Sequence, residues 1–180
     1  MSIWRMLGLG QVGGDERGSS AGRDTVRQIV DELADLPIER ARYIAMFAFI
    51  LSRVAGADSK ISPAETRAME RIVVEAGGLP EEQAMIVVQM AKTQSLLFGG
   101  TDNYSVTKEF AKLASREQKF SLLRCLFAVS AADQSIATVE SNVIRQIADE
   151  LGLDHADFAA LRSEYRQHLA VLRPAKPDEA

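Results

Sequence analysis

Four carboxylates stand at repeated positions in this chain. Asp58 and Glu65 lie in VAGADSKISPAE, residues 54–65, and Asp133 and Glu140 in VSAADQSIATVE, residues 129–140. Oxygen-only donors suit a hard cation such as calcium or magnesium, and a single turn supplies too few of them, whereas two turns together supply four. Neither stretch is an EF-hand loop, because the dense D-x-D-x-D-G pattern and the terminal bidentate Glu at its required spacing are missing. The same residues also have structural work open to them. Asp58 and Asp133 can accept bonds from their own turn amides, and Glu65 can close a capping box with Ser62.

Catalytic alternatives find little support. His155 and His168 are 13 residues apart, not the four that set two ligands on one helix face, and both read as surface residues. Cys125 is the single cysteine, within the apolar run FSLLRCLFAVSAA, which excludes an intramolecular disulfide and a cysteine-based metal cluster. It reads as a small core side chain rather than a nucleophile. The Gly pairs beginning at 13, 77 and 99 complete no phosphate-binding G-x-x-x-x-G-K pattern. The chain is therefore read as non-enzymatic and without an organic cofactor. Arg53 and Arg124 interrupt apolar helices and read as snorkelling surface cations in preference to an anion clamp. Met46, Met69, Met85 and Met90 fall at helical core spacing.

Bulk properties narrow the partners. At 180 residues and 47% apolar content the chain can fill the core of one domain or of a tightly fused pair. A net charge of −4 offers no broad attraction for phosphate backbones, so nucleic acid is not an expected partner. A lone cysteine suits a reducing compartment. The opening MSIWRMLGLG is too short for a secretory h-region or a bilayer span, so the expected location is cytoplasmic. Ile3, Trp4, Met6, Leu7 and Leu9 beside Arg5 are suited to a membrane surface or a protein partner, against the simpler reading of a frayed terminus.

The elements that must position the carboxylates are helical. Residues 8–22, GLGQVGGDERGSSAG, have linker composition, and RPAKPDEA ends the chain with two prolines and charge. The expected organisation is a flexible segment over 1–22, a folded body over 23–173 and a disordered tail over 174–180. Inside the body the apolar spacing is helical throughout, and no segment calls for a strand. Val26, Ile29, Val30 and Leu33 give one short face before Pro37. The next helix, through Ile44, Phe47, Leu51 and Val54, is apolar almost all round, which predicts a central, buried position. Ser62-Pro63 with Glu65 marks a helix start, and Gly77-Gly78 its stop. A helix through Ile86, Val87, Met90 and Leu97 then runs to Gly99-Gly100, and Thr101–Ser105 reads as the turn joining two halves.

The second half repeats the plan. A helix through Val106, Phe110 and Leu113 leads to Ser115 and Gln118, another capping pair. An apolar helix through Phe120, Leu123 and Phe127 precedes the second acidic turn, a helix to Gly152 and a last helix from Asp154 to Tyr165. Leu51 matches Leu126, Val54 matches Val129, Asp58 matches Asp133, Ile61 matches Ile136, Glu65 matches Glu140 and Gly77 matches Gly152. Two such units can bury their apolar faces by packing together. The predicted fold is an all-α, internally duplicated bundle of about seven to eight helices with pseudo-two-fold symmetry, its two apolar helices crossing at the axis.

Two A-D-x-x-I-x-x-x-E units, each after an apolar helix and the second followed by IRQIADELGLDHADFAALR, resemble the TerB-like family. Its prototype is the tellurite-resistance protein B, and a related domain occurs at the cytosolic side of a membrane-anchored co-chaperone. The resemblance covers roughly Arg23 to Arg173. It implies an all-helical fold that brings the acidic turns near one another, and a role in binding divalent metal during a stress response. The family's acidic positions fall on Asp58, Glu65, Asp133 and Glu140. This chain carries Ser59 and Gln134 where the family has Gly after the Asp, and Ala137 where the first unit has the capping Ser62. The alternative function is a metal-independent interaction module or membrane-proximal scaffold, working through its acidic surface or Ile3-Trp4 on a protein partner, membrane-associated or not.

Overall fold

The structure is a computed structural model that describes residues 20–55, 62–93, 103–132 and 136–169, with side chains from Asp24 onward. Among the described residues it forms eight α-helices. The first four are α1 (Ser20–Ala34), α2 (Ile38–Ser52), α3 (Pro63–Glu75) and α4 (Glu81–Lys92). The second four are α5 (Asn103–Leu113), α6 (Arg116–Ser130), α7 (Thr138–Glu150) and α8 (His155–Glu164), followed by a 3-10 turn over Arg166–His168. Extended pairing among these residues is confined to one isolated parallel bridge, Ile136 to Leu169, in which the Ile136 amide donates to the His168 carbonyl at 2.7 Å.

Sequence explains most of the boundaries. Ser62 accepts from the Glu65 amide at 3.2 Å while the Ser62 amide donates to the Glu65 carboxylate at 2.7 Å, a closed capping box with Pro63 in the first turn. Ser115 and Gln118 form the same box at α6, with bonds of 3.2 and 2.8 Å. Ahead of α8, Asp154 accepts from the Asp157 amide at 2.8 Å. Other boundaries move. α1 is already under way at Arg23. α5 starts at Asn103, so most of the expected joining turn is helix; the polar residues that read as a turn are equally at home in a helix's first turn. α4 ends at Lys92, and Leu97, Gly99 and Gly100 lie outside the described residues, as do the linker before Ser20 and the tail after Leu169.

The helix that is apolar all round takes the centre. Ile44, Phe47 and Leu51 of α2 are fully buried, and α2 packs against α4, α5 and α6 as well as α1. Tyr43, Phe47 and Phe110 form an aromatic cluster between α2 and α5, with ring centroids 5.2–6.4 Å apart. In the second half Phe127 of α6 stacks on Tyr165 at 5.4 Å and meets Phe158 of α8 at 5.8 Å. Met46, Met69 and Met90 are buried as expected, but Met85 is half exposed, because it falls on the outer face of α4 between the buried Ala84 and Ile86.

The duplication is visible in element order and length. α3 and α7 have equal lengths and lie 75 positions apart at both ends. At the following turn the offset drops to 74: the left-handed residue is Gly78 in the first copy and Gly152 in the second, and α4 and α8 start 74 positions apart. Gly77, the expected counterpart of Gly152, plays a different part. A Cβ on it would lie 2.5 Å from the Val73 carbonyl oxygen and 3.1 Å from the Phe47 ring. Packing is less symmetric than the sequence: α5 packs on α7, while contact between the matching pair, α1 and α3, is marginal at most. α2 and α6 do touch, but the reciprocal contacts that a two-fold requires are not all present.

The glycine turns give a first prediction. Gly77→Ala costs about 2 kcal/mol, because backbone rather than a flexible side chain must move. Gly152→Ala costs about 1 kcal/mol, since its added methyl meets nothing within 4 Å and only the left-handed backbone is strained. Urea unfolding of the two variants checks the ranking; equal losses would place the steric contact at Gly77 in error.

Candidate metal centre

The end of α2, the start of α3, the end of α6 and the start of α7 meet around one cavity of about 450 Å³. Glu65 and Glu140 both line it. So do Ala55 and Ala132, the last described residues before the two acidic turns. The wall between them is apolar, from Val54, Met69 and Val129. Thus the flanks of both repeated turns converge, which the sequence could propose only through the duplication. Asp58 and Asp133 lie outside the described residues.

Capping holds each glutamate in place. The Glu65 carboxylate takes the Ser62 amide on one oxygen, and that bond with the one made by the Ser62 side chain holds its carboxyl below the ordinary range, slightly opposed by desolvation. Glu140 takes the Ala137 amide at 2.7 Å in the same way. Alanine has no side-chain acceptor, so the second copy keeps only this half of the box. In each case the helix-start amide occupies a single carboxylate oxygen, Oε2. The corner at α3 is fixed further by Lys92 of α4, which donates to the Thr66 hydroxyl at 3.0 Å, while that hydroxyl donates to the Ser62 carbonyl at 3.0 Å.

A second polar group faces the cavity. Ser130, at the end of α6, lines it, is 5% exposed, and its hydroxyl has no hydrogen-bond partner among the described residues. A buried hydroxyl without a partner carries a desolvation cost of about 1–3 kcal/mol, which a bound water or an ion's hydration shell would relieve. The donor set is all oxygen, as calcium or magnesium prefers, so the residues present fit a hard cation. Among the described residues no group of three or more His, Cys, Asp or Glu side chains is arranged to hold a metal.

One functional feature was not legible in the sequence. Arg53 does not snorkel. Its guanidinium donates to the Glu150 carboxylate at 2.6 Å and to the Thr107 hydroxyl at 2.8 Å, and the side chains of the pair are 7% and 6% exposed. Arg53 directly precedes Val54 at the cavity, and the pair ties the end of α2 to the far end of α7. Burial alone would raise the Glu150 carboxyl; the bond and charge of Arg53 and the bond from Gln146, at 2.9 Å, reverse that and hold it below its ordinary value. The partner lies 97 positions away, beyond any local pattern. The only local signal was a cation within an apolar run. Arg124, by contrast, is a surface cation as read, paired with Glu164 at 3.2 Å.

The remaining sequence candidates fall where their chemistry is quiet. Cys125 is fully buried, and burial pushes its thiol up to about 12, far from a nucleophile's range. His155 is exposed and His168 half-buried. Among the described residues no helix is long and apolar enough to cross a membrane. No curated protein and no solved structure matches the chain. The model of the family described as "Tellurite resistance protein TerB" matches residues 43–163, a span that takes in both repeated acidic units, the residues that line the shared cavity and most of the eight helices, and the chain belongs to that family.

Proposed function

We propose that this chain is a non-enzymatic, cytoplasmic TerB domain of the tellurite-resistance and stress-response type that takes up calcium or magnesium in the cavity between its two turns. Asp58 and Glu65 serve as ligands from the first copy, Asp133 and Glu140 from the second, and Ser130 supplies a hydrogen bond to the ion's water. The observation that carries this reading is the shared cavity: Glu65 and Glu140, 75 positions apart, line the same volume. Each carboxylate is pre-positioned by a helix-start amide, which reduces the ordering cost of binding.

Thermal unfolding with and without the ion tests the proposal. At an ion concentration near 100 times Kd, linkage contributes about 2.7 kcal/mol, so the wild-type chain melts several degrees higher, and Asp58→Ala and Asp133→Ala lose the shift. Ser130→Ala stabilises the ion-free chain by about 1 kcal/mol, because an unpaired hydroxyl is removed, and shrinks the ion-dependent gain. No calorimetric heat and no melting shift at millimolar calcium or magnesium rejects the reading.

A further inference from the structure

A second cavity, of about 300 Å³, runs along α8 on the second half of the fold. Its polar lining consists of His155, Arg162, Ser163 and Arg166, and its apolar floor includes Phe158 and Leu169. Among the described residues no carboxylate lines it, in a chain whose net charge is −4. The acidic residues of the same helix are engaged elsewhere: Asp157 with Arg116 at 2.7 Å, Glu164 with Arg124 at 3.2 Å, and Asp154 with the Asp157 amide. Among the described residues neither Arg162 nor Arg166 has an ion-pair partner. The Arg162 Nε–H is buried and has no hydrogen-bond partner among the described residues. An unpaired buried donor on a cation is costly, and an anion's oxygen is the group that would satisfy it.

From this we infer that the α8 cavity is a binding site for a small phosphate monoester, separate from the candidate cation site and independent of it. Two guanidinium groups offer planar donor forks that match phosphate oxygens. The His155 ring adds a polar group along the same wall, whereas the Ser163 hydroxyl already donates to the Ala160 carbonyl at 2.7 Å. Phe158 and Leu169 are buried beneath them, giving an apolar surface for the organic part of the ester, and the volume is at the lower end of small-molecule sites. The floor is built by tertiary structure, since Leu169 is held by its bridge to Ile136. A soluble phosphate ester and the headgroup of a phosphatidic acid present the same chemistry to this wall.

Calorimetric titration of the full chain with glycerol phosphate, and sedimentation with phosphatidylcholine vesicles with and without phosphatidic acid, test the site and separate the two sources. Saturable binding of the soluble ester is expected, weakened about tenfold or more in Arg162→Gln and in Arg166→Gln, each of which loses charge-assisted bonds. Binding confined to vesicles containing phosphatidic acid, with the same loss in both variants, supports the site with a lipid as its source. Arg166 is exposed, so its variant carries the test if Arg162→Gln fails to fold. Arg145→Gln, an exposed change of equal charge on α7, leaves the affinity unchanged. Binding of neither probe, or affinity that falls equally in Arg145→Gln, overturns the inference.

Discussion

Replacing Arg53 by Met lowers the stability of this fold by about 3–5 kcal/mol, because it leaves the Glu150 carboxylate buried and without its counter-charge. On a chain of this size such a loss moves the melting temperature down by roughly 6–20 °C. Thr107 contributes little to the deficit, since its hydroxyl keeps the Asn103 carbonyl as acceptor. Glu150→Leu costs a similar amount by stranding Arg53, while the double change Arg53→Met with Glu150→Leu comes back near wild type, as buried ion pairs replaced by apolar groups commonly do. The cycle is therefore strongly non-additive. A single Arg53→Met that unfolds within about 1 kcal/mol of wild type would show the pair to be water-exposed in solution.

The same pair sets an acid limit. The Glu150 carboxyl sits below its ordinary value of 4.5 in the folded chain, so the unfolded chain binds its proton first as pH falls. Its stabilising contribution is complete above the ordinary glutamate range, declines as pH falls through that range, and is gone below the depressed folded value. Unfolding free energy followed from neutral pH to pH values below this range thus falls in wild type, and falls less steeply in the double variant. Glu65 adds to the same slope in the same direction, since its carboxyl is also held low by the Ser62 amide and hydroxyl.

The second large effect is expected at Phe47. Phe47→Ala costs about 3–5 kcal/mol, the range for emptying a buried aromatic site. The ring is fully buried, lies 6.1 Å from Tyr43 and 6.4 Å from Phe110 by centroid, and comes within reach of any side chain placed at Gly77. One deletion therefore loosens α2 from α5 and unloads the turn after α3. Phe47→Leu, which keeps most of the volume, costs less than half as much. Chemical denaturation of the two variants measures this. Losing no more in the alanine variant than in the leucine one would mean the cluster collapses without a cavity and that α2 is less central than its burial indicates.

The relation between these two sites explains how the duplication was bent. Counting 75 positions, Ala128 stands in the second copy where Arg53 stands in the first, and Glu75 in the first where Glu150 stands in the second. Glu75 is exposed. Only one of the two sequence-related position pairs, Arg53 with Glu150, carries the buried charges. This agrees with the close α5–α7 packing that α1 and α3 do not reproduce.

What the sequence determined by itself was whatever depends on neighbours three to four positions away. Helical apolar spacing placed α2 at the centre, and Ser62 with Glu65, and Ser115 with Gln118, announced two helix starts that close as capping boxes. The repeated acidic units also named Glu65 and Glu140 together, because identical local patterns fold alike. Tertiary structure alone decided that those two glutamates share a cavity, that Ser130 faces it with no partner among the described residues, and that Arg53 turns inward to Glu150. It also turned Met85 outward and brought Leu169, held by its bridge to Ile136, against the α8 face that carries His155, Arg162 and Arg166. The physical reason is range: capping and helix periodicity are settled within a turn or two of chain, whereas the fate of a charge depends on which distant surface covers it and what that surface offers in return.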